Sequence, residues 1–138
     1  MSELDGVELQ LSQSITNTPW DDLIVSILAV NQYSLERTYQ SLEGIQRQGI
    51  SDPKVFTKCS VEQLEERLKL GGCDRGPFMT HLFAKRLASL SEYVRSVGIE
   101  QSGDFLAGKS RSRIEQFLEP VNGIGPVVLR NFFLLRGI

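Results

Sequence analysis

The chain has 138 residues, 41% hydrophobic and 23% charged, with 15 Lys and Arg against 17 Asp and Glu for a net charge of −2. These values predict one soluble globular domain with a core of its own. They exclude a membrane-spanning protein, because no apolar run approaches the ~18 residues that a span needs.

The chain opens on Met1-Ser-Glu-Leu-Asp-Gly-Val-Glu8, acidic and without a signal-peptide apolar region, which predicts a cytoplasmic location. Residues 1–17 read as a loose or partly helical arm, with Val7, Leu9 and Leu11 alternating before a polar stretch. From residue 18 to 138 the apolar spacing is helical and no useful strand alternation occurs. Asn17-Thr18-Pro19-Trp20 is a helix start, with a polar cap and a proline in the first turn, and Asp21 and Asp22 suit the positive end of its dipole. Leu23 to Val30 is apolar nearly all round, so this helix should be central and buried. Ser34 caps a helix with the stripe Leu35, Tyr39, Leu42 and Ile45, which ends before Gly49. Asp52-Pro53 starts a short turn of helix to Phe56, and the capping box Ser60 to Gln63 opens a helix to Leu70, stopped by Gly71-Gly72. Pro77 begins the longest helix, to about Val97, with the stripe Met79, Leu82, Phe83, Leu87, Leu90, Val94 and Val97. Gly98 is its C-cap, and Phe105-Leu106 makes a brief helix.

The last segment is the most informative. Ser112-Arg-Ile-Glu-Gln-Phe-Leu118 and Pro126-Val-Val-Leu-Arg-Asn-Phe-Phe-Leu-Leu135 read as two helices joined by a tight turn containing Asn122-Gly-Ile-Gly125. The two glycines can take positive φ and allow close backbone approach. Pro126 fits the first helical turn. Unpaired N–H groups at that helix start, with the helix dipole, form a site for an anion such as a nucleic-acid phosphate. The expected architecture is an all-α bundle of six to eight helices with a C-terminal helix-hairpin-helix.

Charge is unevenly distributed: residues 1–69 carry 6 Lys and Arg against 11 Asp and Glu, and residues 70–138 carry 9 against 6. The turn lies in the positive half, with Lys109, Arg111 and Arg113 before it and Arg130 and Arg136 after it. Cys59 and Cys73 lack CxxC spacing and His81 forms no pattern with them, so no zinc-type metal site is expected and both thiols should be reduced.

Three segments in order resemble the endonuclease III superfamily of helix-hairpin-helix DNA glycosylases. They are Trp20-Asp-Asp-Leu-Ile-Val-Ser-Ile-Leu-Ala-Val-Asn-Gln-Tyr-Ser34, the helix Arg75-Gly-Pro-Phe-Met-Thr-His-Leu-Phe-Ala-Lys-Arg-Leu-Ala-Ser-Leu90 after its glycine turn, and Leu118-Glu-Pro-Val-Asn-Gly-Ile-Gly-Pro-Val-Val-Leu-Arg-Asn131. The resemblance covers residues 18–138 and implies a DNA-binding protein of base-excision repair whose partner is double-stranded DNA. It implies a phosphate on the hairpin formed by Asn122, Gly123, Ile124 and Gly125 with the amides of Val127 and Val128, and a monovalent cation on hairpin carbonyls. Arg111, Arg113 and Arg130 would add electrostatic attraction. Asn31 or Gln32 would fill the gap left by a flipped base.

Two departures bear on catalysis. Val127 stands where strand-cutting relatives have a Lys, so no Schiff base can form there and lyase activity is not expected. The family's catalytic Asp falls beyond Ile138, and its four-cysteine iron–sulfur loop has no counterpart, so neither a catalytic residue nor a cluster is assigned. Asp104 and Glu119 lie near the hairpin in sequence, and Lys85 and Lys109 are the nearest amines, all four reading more simply as solvated side chains. Base removal by a monofunctional glycosylase and a non-catalytic DNA-binding module, or a fragment needing a partner chain, therefore stand as alternatives. The apolar end Asn131-Phe-Phe-Leu-Leu-Arg-Gly-Ile138 suggests a partner chain or self-association that covers the last helix.

Overall fold

The computed structural model describes residues 17–29 and 34–138, all in helices and their connections, with no strand among them. Nine helices follow in order: α1 (Pro19–Leu28), α2 (Leu35–Tyr39), α3 (Leu42–Arg47), α4 (Pro53–Phe56), α5 (Val61–Leu70), α6 (Pro77–Val97), α7 (Ile99–Ala107), α8 (Arg111–Leu118) and α9 (Pro126–Arg136). The expected loose arm lies outside the described residues except for Asn17, whose side-chain amide donates to the Tyr39 hydroxyl.

Helix α1 is the axis of the fold. The Thr18 hydroxyl accepts from the Asp21 amide while the Asp21 carboxylate accepts from the Thr18 amide, and every residue from Trp20 to Leu28 is buried. Asp21 and Asp22 do more than favour the helix dipole. Asp21 also accepts from Gln46 Nε2 at 3.0 Å and from the Ser51 hydroxyl, which ties α1 to the chain around α3. Asp22 pairs with Arg136 Nη1 at 3.0 Å and so ties α1 to the end of α9.

Two elements differ from the sequence expectation. The single helix expected after Ser34 is two helices, because the chain leaves helical geometry at Ser41 (φ −90°, ψ 6°), which starts α3 without a side-chain cap. With this split the described residues hold nine helices, against the six to eight expected. The brief helix at Phe105-Leu106 is a full element, α7, which begins at Ile99 directly after Gly98. Its polar sequence hides it, since only Ser102 and Leu106 of α7 are buried. Gly103 faces the Trp20 indole, where a Cβ would make ordinary contact at 3.5 Å from Nε1.

Helices α5 and α6 pack along each other, and α9 packs on α1. The core runs between them through Leu23, Ile24, Ile27, Phe56, Leu64, Leu68, Phe83, Leu87, Leu90, Ile114 and Phe132. Helix α3 meets the end of α5 at glycines, and a Cβ on Gly44 would sit 2.0 Å from the Gly71 carbonyl oxygen. The Tyr93 hydroxyl donates to the Phe117 carbonyl, and Phe105 stacks on Phe117 at 4.7 Å and 9°, which joins α6, α7 and α8. Phe132, Phe133 and Leu135 of α9 are buried within the chain itself, so most of the apolar surface that suggested a covering partner is already covered.

Candidate nucleic-acid interface

The turn between α8 and α9 spans residues 119–125 and is stabilised locally. The amide of Val121 donates to the Leu118 carbonyl at 3.0 Å and that of Ile124 to the Val121 carbonyl at 3.4 Å. The two glycines have different reasons to be glycine. Gly123 has φ +94°, a region that a Cβ disfavours, whereas Gly125 is extended at φ −110° with open space where a Cβ would be. The expectation that both could need positive φ therefore holds only at Gly123. Gly125 is the N-cap of α9, its carbonyl accepts from the Leu129 amide at 3.1 Å, and no side chain caps the helix.

That arrangement leaves donors unused. Among the described residues, the amides of Gly123, Gly125, Val127 and Val128 donate no backbone hydrogen bond outside a helix. The last two lie in the first turn of α9, where no helical acceptor exists. The Ile124 amide is turned inward to Val121 and is not one of the set. Val127 is 48% exposed beside these donors, an apolar side chain in water at a helix start.

The basic residues expected to help divide into two groups. Arg130 is exposed on the second turn of α9 and makes no ion pair among the described residues. Arg111 and Arg113 begin α8, about 10 Å from the turn at the rise of an α-helix. Both are engaged elsewhere: Arg111 donates to the Ile138 carbonyl and lies 5.4 Å over the Phe133 ring, and Arg113 lies 5.9 Å over the Phe105 ring. Arg111 also lines, with Val127 and Arg130, the groove that opens beside the start of α9. Asn122 is exposed in the turn, while Asn31 and Gln32 lie outside the described residues.

A groove of about 970 Å³ opens beside the start of α9. Ala29 and Leu35 border it on one side, and Val127, Arg130, Asn131 and Phe133 on the other. It also contains Glu115, the one carboxylate lining it among the described residues. Asp104 instead lines a separate pocket of about 600 Å³ with Lys109 and Arg113, and Glu119 is exposed at the end of α8. Asp104 and Glu119, near the hairpin in sequence, do not line the groove, whereas Glu115 does, one helical turn after Arg111 on the same side of α8.

Cys59 and Cys73 are free, and burial raises the pKa of the Cys73 thiol. His81 is on the surface, with Nδ1 2.6 Å from a Glu65 carboxylate oxygen. Among the described residues no group of three or more His, Cys, Asp or Glu is placed to hold a metal ion, and no helix is long and apolar enough to cross a membrane. A scan of protein-family models, a search of curated proteins and a search of solved structures each found no match to the chain.

Proposed function

We propose that this protein binds double-stranded DNA in base-excision repair, with the turn between α8 and α9 holding a backbone phosphate. The observation that carries the reading is the set of unused amides of Gly123, Gly125, Val127 and Val128 at the start of α9. Backbone donors at a helix N-terminus bind an anion without charged side chains, and phosphate contacts of this kind fix register on a duplex without reading sequence. Exposed Val127 and unpaired Arg130 flank the donors on the same helix. The reading includes a monovalent cation on the hairpin carbonyls.

Gly125→Asp tests this reading without threatening the fold. The position is extended and open, and an Asp at an N-cap can accept from the first-turn amides. The variant should melt at or slightly above the wild-type temperature. It should nevertheless lose duplex binding, because its carboxylate occupies the donors and repels phosphate. Gly125→Ser should fold equally well and bind more weakly than wild type while retaining part of the affinity. Unchanged binding by Gly125→Asp would remove the hairpin from the DNA reading.

A second reading, hydrolytic base removal, is favoured by the groove beside Val127 with Glu115 on its wall. Its test is release of oxidised, deaminated or alkylated bases from short duplexes, read with and without hot alkali. Alkali-dependent cleavage that disappears in Glu115→Gln supports it. Absence of cleavage by folded, DNA-bound protein leaves the binding module.

A further inference from the structure

Arg86 lies on α6, far from the hairpin in sequence, yet its side chain is laid across the hairpin glycine. A Cβ on Gly123 would be 2.8 Å from Arg86 Cγ, 3.1 Å from Cδ and 3.3 Å from Nε. Gly123 thus leaves room for the Arg86 stem as well as adopting positive φ. Arg86 is half-buried, flanked on its helix by the fully buried Phe83 and Leu87. Its aliphatic stem lies against the hairpin backbone at Gly123, the usual way in which an arginine covers a surface while its head stays in water. The head has no internal counter-charge, since the ion pairs among the described residues join Lys69, His81 and Arg136 to acids and none involves Arg86. Lys85, the neighbouring cation, is fully on the solvent side.

An arginine whose stem is fixed and whose guanidinium is unpaired has lost rotamer freedom without gaining an internal hydrogen bond. A planar fork of donors held in this way suits a phosphate oxygen pair. We propose that Arg86 is the cation of the hairpin site, binding a backbone phosphate of the duplex beside Gly123. The inference rests on the DNA-binding reading and extends it to a residue on a different helix. It adds a cation against the turn itself to Arg111 and Arg130, which line the neighbouring groove.

The test is fluorescence anisotropy of a short labelled duplex with wild type, Arg86→Met, Arg86→Lys and Gly125→Asp, titrated between about 50 and 200 mM KCl. Loss of one charge-assisted contact should weaken Arg86→Met roughly 10-fold. The slope of log K against log salt should fall in magnitude by about 0.9, one phosphate neutralised fewer. Arg86→Lys should keep the slope and lose part of the affinity. If Gly125→Asp loses binding while Arg86→Met keeps wild-type affinity and slope, the role of Arg86 is overturned and the hairpin reading stands. Weaker binding with an unchanged slope would mean that Arg86 only packs on Gly123, which also overturns the proposal. Folded wild-type protein that binds no duplex would remove both. Should Arg86→Met fail to fold by circular dichroism, Arg86→Gln takes its place under the same slope criterion.

Discussion

The ion pair between Asp22 and Arg136 joins the start of α1 to the end of α9, and its electrostatics predict an unusual mutant. Asp22 is 1% exposed, whereas the Arg136 side chain is 25% exposed. Burial pushes the Asp22 carboxyl from 3.8 up to about 6, against the opposing pull of Arg136 and with a small further push from Asp21. The folded protein therefore holds this proton at pH values where the unfolded chain has released it. Stability from this group is full below pH 3.8, falls as pH rises towards about 6, and is constant above that. The cost above pH 6 is about 3 kcal/mol at the usual 1.4 kcal/mol per decade, net of the pair with Arg136. Asp22→Asn removes the buried charge and leaves Arg136 partly in water. It should therefore be more stable than wild type at pH 8 by up to about 3 kcal/mol, or roughly 10 °C in Tm for a domain of this size. The gain should shrink as pH falls through the window between 6 and 3.8. Arg136→Met should do the opposite at pH 8, costing about 3 kcal/mol or more, because it leaves a buried carboxylate unpaired. Thermal melts of the three proteins from pH 4 to pH 8 decide the matter. An Asp22→Asn protein that melts below wild type at pH 8, or a difference independent of pH, would refute the reasoning.

The glycines give the remaining predictions. Gly123→Ala should cost about 2 kcal/mol, from positive φ and displacement of the Arg86 stem, while Gly125→Ala, extended and uncrowded, should cost about 0.5 kcal/mol. Paired thermal melts check this contrast, and equal losses would mean that the turn is not built as described. Gly44→Ala should be the most destabilising of the three, about 3 kcal/mol, because its Cβ would meet the Gly71 carbonyl oxygen at 2.0 Å and α3 and α5 must part. Urea unfolding at neutral pH measures it, and a loss near zero would mean that this crossing is loose.

Local signals carried the sequence reading a long way. The apolar run after Trp20 did mark the buried central helix, and Ser60 with Gln63 did form the capping box that opens α5. Pro77 and Gly98 bound α6 as expected. Each of these depends on residues a few positions apart. What stayed hidden depends on distant ones. Arg136 is separated from Asp22 by 114 positions, and Arg86 meets Gly123 from a different helix. Helix α7 was expected only as a brief helix at Phe105-Leu106, because just Ser102 and Leu106 of its nine residues are buried and no apolar stripe marks its start at Ile99. Arg111 and Arg113 lead into the turn in sequence, and what sequence could not show is that their guanidinium groups lie over the Phe133 and Phe105 rings, with Arg111 also lining the groove beside Val127.

The same distinction between sequence and space bears on the net charge of −2, which by itself argues weakly against a nucleic-acid partner. Several acids in that total are neutralised or buried away from the hairpin. Asp22 is paired with Arg136, Asp21 accepts three hydrogen bonds from its neighbours, and Glu65 lies against both His81 and Lys69. Arg86 and Arg130, close to the unused amides, are not paired with any acid among the described residues. The charge near the start of α9 is therefore set locally, by Arg86 and Arg130 against Glu115 on α8 and Glu119 just beyond it, and not by the formal total. A site of this kind relies on short-range amide donors supported by two cations. If it binds a duplex as proposed, its affinity should fall with salt at a slope of about −2, well short of the steep dependence of a broad basic surface. A slope several times larger in the same titration would mean that the duplex lies across a different part of the protein.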